Sequence, residues 1–364
     1  MNGRTLLHSL ATGLALVLAL ACRTTPLPPP EPVSGTDPFE REIAELVEKK
    51  QLEPALVVAK RALAETEARV GPEHPDVATR LVAVARLHLA ERQTDAAEPL
   101  LQRALAIQAK APGLEDAALA EALDTLARSE TALREYARAE SHARSALAIQ
   151  ERVLGPEHPR VAETLTALAS IYAAQSRYAE VGPLCERALA IQEKTLPPED
   201  PALAVTLSEL GNLHVAQGDY AGARPLYERA LSIQEKGLGP EAPELARSVQ
   251  NLAALDCFEG RNADAHARFA RALALREKAL GPEAREVAET LNAEALLYTS
   301  EGRYLQAEQL LQRALRIVEK VPAPGDPDLA TLLGNLALVY RETGRKQDAE
   351  RLEARAATLR STRR

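Results

Sequence analysis

Arg103-Ala-Leu-Ala-Ile-Gln108 returns as Ser145-Ala-Leu-Ala-Ile-Gln150, Arg187-Ala-Leu-Ala-Ile-Gln192 and Arg229-Ala-Leu-Ser-Ile-Gln234. Each copy lies 42 residues after the one before, with no insertion or deletion. Arg61-Ala-Leu begins the series, and Arg271-Ala-Leu and Arg313-Ala-Leu continue it. A fixed period of this length marks one supersecondary unit stacked along the chain. Such arrays present long surfaces to other proteins and rarely carry chemistry alone.

One period, residues 202–243, shows what the unit is. Leu203, Leu207, Leu210, Gly211 and His214 fall on one face at helical spacing. Gly218-Asp219 breaks that helix. Tyr220, Ala223, Leu226, Tyr227, Ala230, Leu231 and Ile233 make a second amphipathic face, which Leu238-Gly239-Pro240 ends before Pro243 marks the next start. The unit is therefore helix, tight turn, helix, loop. Ala204 and Ala223 recur at their equivalent positions, with Val181 the exception, because close helix crossings require small side chains.

Leu207, Leu210, Gly211, Gly218, Tyr220, Ala223, Tyr227, Ala230 and the Leu-Gly-Pro-Glu loop at 238–241 together resemble the tetratricopeptide repeat. The form is the 42-residue one of kinesin light chains, and Gly71-Pro-Glu-His-Pro75 and Gly155-Pro-Glu-His-Pro159 are close copies of its loop. The resemblance implies an all-α fold, a right-handed superhelix of about eight helix pairs. On this reading a degenerate first pair covers 38–75. Seven repeats then follow at 76–117, 118–159, 160–201, 202–243, 244–285, 286–327 and 328–361. It also implies that the first helices line a groove for protein or peptide ligands. The positions carried over to that groove are Asp124, Arg128, Thr166, Ser170, Ser208, Asn212, Arg247, Gln250 and Asn292. Amide side chains bond a peptide backbone in both directions, which singles out Asn212, Gln250 and Asn292. The plainer alternative is that these are solvated groove residues.

Two repeats depart from the pattern. Repeat 118–159 has Glu130 and Arg134 where later repeats have Tyr and Gly, and repeat 76–117 has His88 and Arg92 there. Less regular packing is expected at this end. Glu294 stands where Leu168, Leu210, Leu252 and Leu336 face the core. It is expected to snorkel to the edge, the alternative being a buried carboxylate with a partner.

The first 37 residues are of another kind. Arg4 precedes an apolar run, roughly Leu14 to Leu20, that ends in small residues before Cys22. This reads as an export signal over 1–21, and the run is too short to span a bilayer comfortably. Ala19-Leu-Ala-Cys22 resembles a lipobox, which implies lipidation of Cys22. The alternatives are an ordinary signal peptide or a short membrane anchor with an incidental Cys. Residues 22–37 contain Pro26, Pro28, Pro29, Pro30 and Pro32. At about 3 Å per residue, such a tether would hold the repeats roughly 40 Å from a membrane. By analogy with lipoprotein sorting, Arg23 rather than Asp after the cysteine suggests the outer membrane, facing the periplasm.

The rest of the composition narrows the function. Hydrophobic residues make up 46% and aromatics 3%, so Ala and Leu dominate the core of a helical array. A net charge of −8 gives no reason to expect nucleic acid. No Cys/His spacing fits zinc, and His74 and His158 are repeat signature. There is no Gly-rich phosphate loop. No metal, cofactor or catalytic residue is assigned. Cys185 and Cys257 read as buried or groove thiols too far apart in the repeat for a disulfide. The expected protein is a non-enzymatic scaffold or adaptor tethered to the bacterial cell envelope, with a protein or peptide partner. A self-associating structural spacer is the second reading, and an envelope hydrolase the third.

Overall fold

The computed structural model describes residues 37–91, 93–110, 116–320 and 327–361. The export signal, Cys22, the Pro-rich tether and Arg92 lie outside the described residues. Sixteen α-helices and no strands are present among the described residues. They form two compact units, dividing between Leu196 and Pro197.

The first unit holds α1 (Pro38–Glu48), α2 (Leu52–Val70), α3 (Pro75–Ala90), α4 (Thr94–Lys110), α5 (Asp116–Ala132), α6 (Tyr136–Leu154), α7 (Pro159–Ala174) and α8 (Tyr178–Thr195). The second holds α9 (Pro201–Ala216), α10 (Tyr220–Leu238), α11 (Leu245–Phe258), α12 (Asn262–Leu280), α13 (Arg285–Ser300), α14 (Tyr304–Glu319), α15 (Pro327–Glu342) and α16 (Lys346–Ser361). In both units each odd-numbered helix packs antiparallel in sequence order on the even one after it. The even helix then meets the first helix of the next repeat. Helix α1 has 11 residues, none of them buried, which makes the first pair the least developed.

Local chemistry sets the helix ends. Pro75, Pro159 and Pro201 open their helices, where the missing N–H costs nothing. His74 Nδ1 accepts a hydrogen bond from Asp76 N at 3.2 Å, and His158 Nδ1 one from Arg160 N at 3.2 Å. The two loop histidines are thus helix N-caps, and Asp200 does the same through Ala202 N at 2.9 Å. At the other end Gly155 has φ 91° and ψ 154°, a region that essentially only glycine occupies.

The turn inside each pair is a 6→1 closure of the Schellman type. Asp219 N donates to His214 O and Arg303 N to Tyr298 O, both at 2.8 Å. Glu135 N donates to Glu130 O at 2.8 Å in the same way. Arg134, at φ 64°, takes the left-handed position that Gly218 fills at φ 78°. The expectation of irregular packing in repeat 118–159 is therefore not met at this turn, because the backbone bond forms whatever the side chain.

The repeats are tied by three recurring contacts. The motif arginine reaches the proline carbonyl of the preceding loop: Arg103 to Pro72 at 2.8 Å, Arg187 to Pro156 at 3.2 Å, Arg271 to Pro240 at 3.1 Å and Arg313 to Pro282 at 3.3 Å. The loop glutamate meets a lysine 37 residues on: Glu73 with Lys110 at 2.8 Å, Glu199 with Lys236 and Glu241 with Lys278 at 3.2 Å. Glu157–Lys194 and Glu283–Lys320 are the same pair. Two of the glutamines that end the motif are buried and accept from the next first helix: Gln150 Oε1 from Thr164 at 2.9 Å, Gln234 Oε1 from Ser248 at 2.7 Å. The exposed pairs are each worth little, about 0–1 kcal/mol. The buried glutamine bonds matter more, since a lost partner there leaves a desolvated polar atom.

Glu294 does not snorkel. It is buried, with its carboxylate 3.5 Å from His266 Nδ1. Desolvation raises its pKa, and His266 only partly offsets this. The helix around it explains why. Residues 291–297 of α13 are all buried, so no edge is within reach.

Candidate peptide-binding face

The first helix of a pair is enclosed on most sides, whereas the second shows a solvated face. In α11 all residues are buried except Arg247, Cys257 and Phe258. In α10 the buried residues are Ala223, Tyr227, Ala230, Ile233 and Gln234, on one stripe. An all-round buried helix lies between layers, and an amphipathic one covers them. Polar groups on first helices are therefore expensive unless they are paired.

In the first unit, Asp124 is buried and held from two sides. Arg128 donates to Oδ2 at 3.1 Å through Nε, and the Thr164 hydroxyl, whose one proton Oδ1 shares with Gln150, lies 3.1 Å from Oδ1. Arg128 is half-exposed and also lies 3.8 Å from Glu163. Thr166 is buried and donates to Ala162 O at 3.0 Å. Ser170 is half-buried on the same helix.

In the second unit, Ser208 is buried and donates to Ala204 O at 2.7 Å. Asn212 is half-buried. Its carbonyl accepts from Tyr227 Oη at 2.7 Å and from Asn251 Nδ2 at 3.5 Å, and its amide donates to Glu209 Oε2 at 3.4 Å. Gln250 is 7% exposed, and its carbonyl accepts from Arg276 at 3.0 Å and Thr290 at 3.2 Å. Asn292 is buried and accepts from Asn335 Nδ2 at 2.7 Å. Arg247 is half-buried. The nine positions thus divide. Asp124, Gln250 and Asn292 bond to groups of the neighbouring repeat, and Thr166 and Ser208 bond back to their own helix. Arg128, Ser170, Asn212 and Arg247 keep surface. The role of Gln250 and Asn292 in joining repeats was missed in the sequence. Its signal was there: Arg276 replaces Gln108, Gln150, Gln192 and Gln234 at the motif's last position, and Gln250 answers it.

The tetratricopeptide repeat family model matches residues 118–194, 167–236, 203–278 and 286–362, well over half of the chain. The chain belongs to the tetratricopeptide repeat family. Among solved structures it is similar to BtubC (BKLC) from P. vanneervenii, at 24% identity and TM-score 0.50, over 63% of this chain and 89% of that one. It is similar to kinesin-light-chain TPR-like repeats from Podosopora anserina, at 30% identity and TM-score 0.46, over 56% of this chain and 97% of that one. It is also similar to the apo form of the quorum sensor NprR from B. thuringiensis, at 15% identity and TM-score 0.65, over 90% of this chain and 89% of that one. No curated protein matches the chain.

As a TPR protein the chain has the fold of a protein-binding scaffold, and its titratable groups bear on the other readings. Cys185 is buried and Cys257 partly so, both as free thiols. Burial, helped by the Glu301 carboxylate, pushes the Cys257 thiol up to about 12, so it carries no thiolate at neutral pH. Burial likewise raises the pKa of the Tyr227 phenol, which stays a hydrogen-bond donor to Asn212. No helix of the described residues is long and apolar enough to cross a membrane.

Proposed function

We propose that this TPR protein is a non-enzymatic adaptor that takes a protein or peptide segment on the surface left open along its first helices. Lipidation of Cys22 would tether it to the bacterial cell envelope, at the outer membrane. The observation that carries the binding reading is the state of Asn212. Its amide is half-exposed yet held by Tyr227, Asn251 and Glu209, so its orientation is settled before a ligand arrives. Arg247 follows on the next first helix and supplies a charged anchor. The tether reading is supported by the Ala21-Cys22 junction and the prolines that follow it.

The test is capture from native envelopes by the full-length protein after mild crosslinking. The parent is compared with Asn212→Ala/Arg247→Ala and with Cys22→Ser. A partner recovered by the parent and lost by the double variant is the expected result. A partner retained by both puts the binding surface elsewhere, and recovery of the protein alone makes it a self-associating spacer. Cys22→Ser is expected to lose incorporation of labelled fatty acid and to leave the membrane fraction. Unchanged labelling would overturn the tether.

A further inference from the structure

Two repeats replace the tyrosine of Tyr172, Tyr298 and Tyr340 with an acid, Glu130 and Asp256. Both are wholly buried. In the same two repeats a base replaces a leucine twelve positions later. His142 and Arg268 stand where the others have Leu100, Leu184, Leu226, Leu310 and Leu352. The exchange is thus a paired one, acid for phenol and base for alkyl.

The two sites are balanced differently. Around Asp256 stand three guanidiniums: Arg224 at 2.6 Å, Arg261 at 2.8 Å, and Arg268 in direct contact. Glu259 shares Arg224 and Arg261, and Glu228 lies 3.3 Å from Arg224, so three carboxylates face three guanidiniums there. Around Glu130 a single guanidinium, Arg138, meets three carboxylates at 3.2 Å or less, those of Glu98, Glu130 and Glu135, with the exposed Asp95 at 4.0 Å. Burial opposes charge on Arg138, but these carboxylates outweigh it and raise its pKa. Counting Arg138 and the three nearer carboxylates, two formal negative charges are left over beside the imidazole of His142.

The oxygens are sorted. Arg138 takes Glu98 Oε2 and sits 3.2 Å from Glu130 Oε1. The other oxygens turn to the imidazole: Glu130 Oε2 lies 2.8 Å from Nδ1, and Glu98 Oε1 lies 3.9 Å from Nε2. Glu98 Oε1 also accepts from Gln102 Nε2 at 3.0 Å. Glu130 Oε1 is buried without a hydrogen-bond partner, because its approach to Arg138 Nε is misaligned. One donor atom from each of Glu98, Glu130 and His142 lies within 4.8 Å of the others.

We propose that Glu98, Glu130 and His142 form a binding site for a divalent transition-metal cation, of which zinc is the natural occupant. One imidazole and two carboxylates make a borderline N/O donor set that suits Zn²⁺. Arg138 is the outer group: it bonds the second oxygen of Glu98 and lies 3.2 Å from that of Glu130. A dication cancels the surplus charge. Glu98 keeps a fifth of its side chain exposed, which gives the ion a way in and leaves a fourth position open to water or a partner's side chain. The ligands come from α4, α5 and α6, so the ion would pin repeat 76–117 to repeat 118–159. This site is independent of the peptide-binding reading.

The experiment is calorimetric titration of untagged, chelator-stripped full-length protein with Zn²⁺, alongside the absorption spectrum with Co²⁺. Two variants are compared. Glu130→Gln keeps the shape and removes a ligand charge. Glu130→Tyr/His142→Leu installs the residues of the other repeats, so folding is preserved while the ligands are lost. The parent is expected to bind one Zn²⁺ per chain and to melt higher with it. Glu130→Gln is expected to bind at least about 100-fold more weakly, beyond the usual 10–100-fold for an outer-shell change. The double variant is expected to lose both the site and the thermal shift. Absence of Zn²⁺ binding by the parent would overturn the proposal and leave the cluster a buried ion pair. So would equal binding by the double variant, which would place zinc on other histidines.

Discussion

Gly211 is a glycine for a reason that lies across the helix pair. A Cβ there would sit 2.5 Å from Tyr227 Cε1, and the ring is only 1% exposed, so it has no room to retreat. Where the facing residue is smaller or differently shaped, alanine is tolerated: Ala169 opposes Cys185 and Ala253 opposes Phe269 in the equivalent pairs. Gly211→Ala gains about 1 kcal/mol of helix propensity but overpacks the contact by about 1–3 kcal/mol, and it also disturbs the Tyr227–Asn212 bond. We expect a net loss of about 1–2 kcal/mol, read as a lower denaturant midpoint at unchanged slope. A rise in the midpoint would show that the ring can move. Glu294 makes the opposite case. Its raised pKa means the native state binds its proton more tightly than the unfolded chain does. Stability therefore falls as pH rises from the ordinary carboxylate range through the native value. Glu294→Leu removes that penalty. We expect it to raise the melting temperature at about pH 7 and to give a smaller gain at about pH 3, where the carboxyl is protonated in both states. An equal gain at both pH values would sink the electrostatic account and leave packing alone.

At the scale of elements, the helices and their pairing were legible because three signals coincide in each period. Apolar spacing of 3.6 gives the helix, Pro and an N-cap start it, and Gly ends it. Pro201 after Asp200, and Gly239 after Leu238, show all of this in one repeat. The seams between repeats were much less legible. Gln150, Gln234 and Arg276 stand in the conserved-looking end of a motif, yet their role depends on Thr164, Ser248 and Thr290 fourteen residues later on another helix. Periodicity reports the face of a helix, not which polar atom will be bonded across it. The same limit separates Gln250 and Asn292, buried in seams, from Asn212 and Arg247, which keep surface. The fate of Glu294 was also hidden, because its partner His266 comes from the preceding repeat.

At the scale of the molecule, the repeats within each unit pack on their neighbours in sequence, so the stability of a unit is close to a sum of repeat terms and nearest-neighbour seams. The division at Leu196 and Pro197 adds a natural break. Unfolding is therefore expected to depart from two-state behaviour. Urea curves followed by far-UV circular dichroism and by the exposure to a thiol reagent of Cys185 and of Cys257, one in each unit, should not superimpose. Coincident curves with a slope fitting the full chain length would show that the two units melt as one. The rungs that join loop glutamate to lysine have a further consequence. Because every rung spans the same 37 residues, the loop glutamate of one repeat is in register for the lysine of any other copy of the second helix. Excising the stretch from Arg229 to the residue before Arg271 would bring Lys278 to the place of Lys236, facing Glu199. The chain is in that sense interchangeable with shorter and longer versions of itself. Its reach is a quantity that recombination between copies can adjust in whole steps with each glutamate–lysine rung kept, although a seam such as Arg276 with Gln250 would lose its partner.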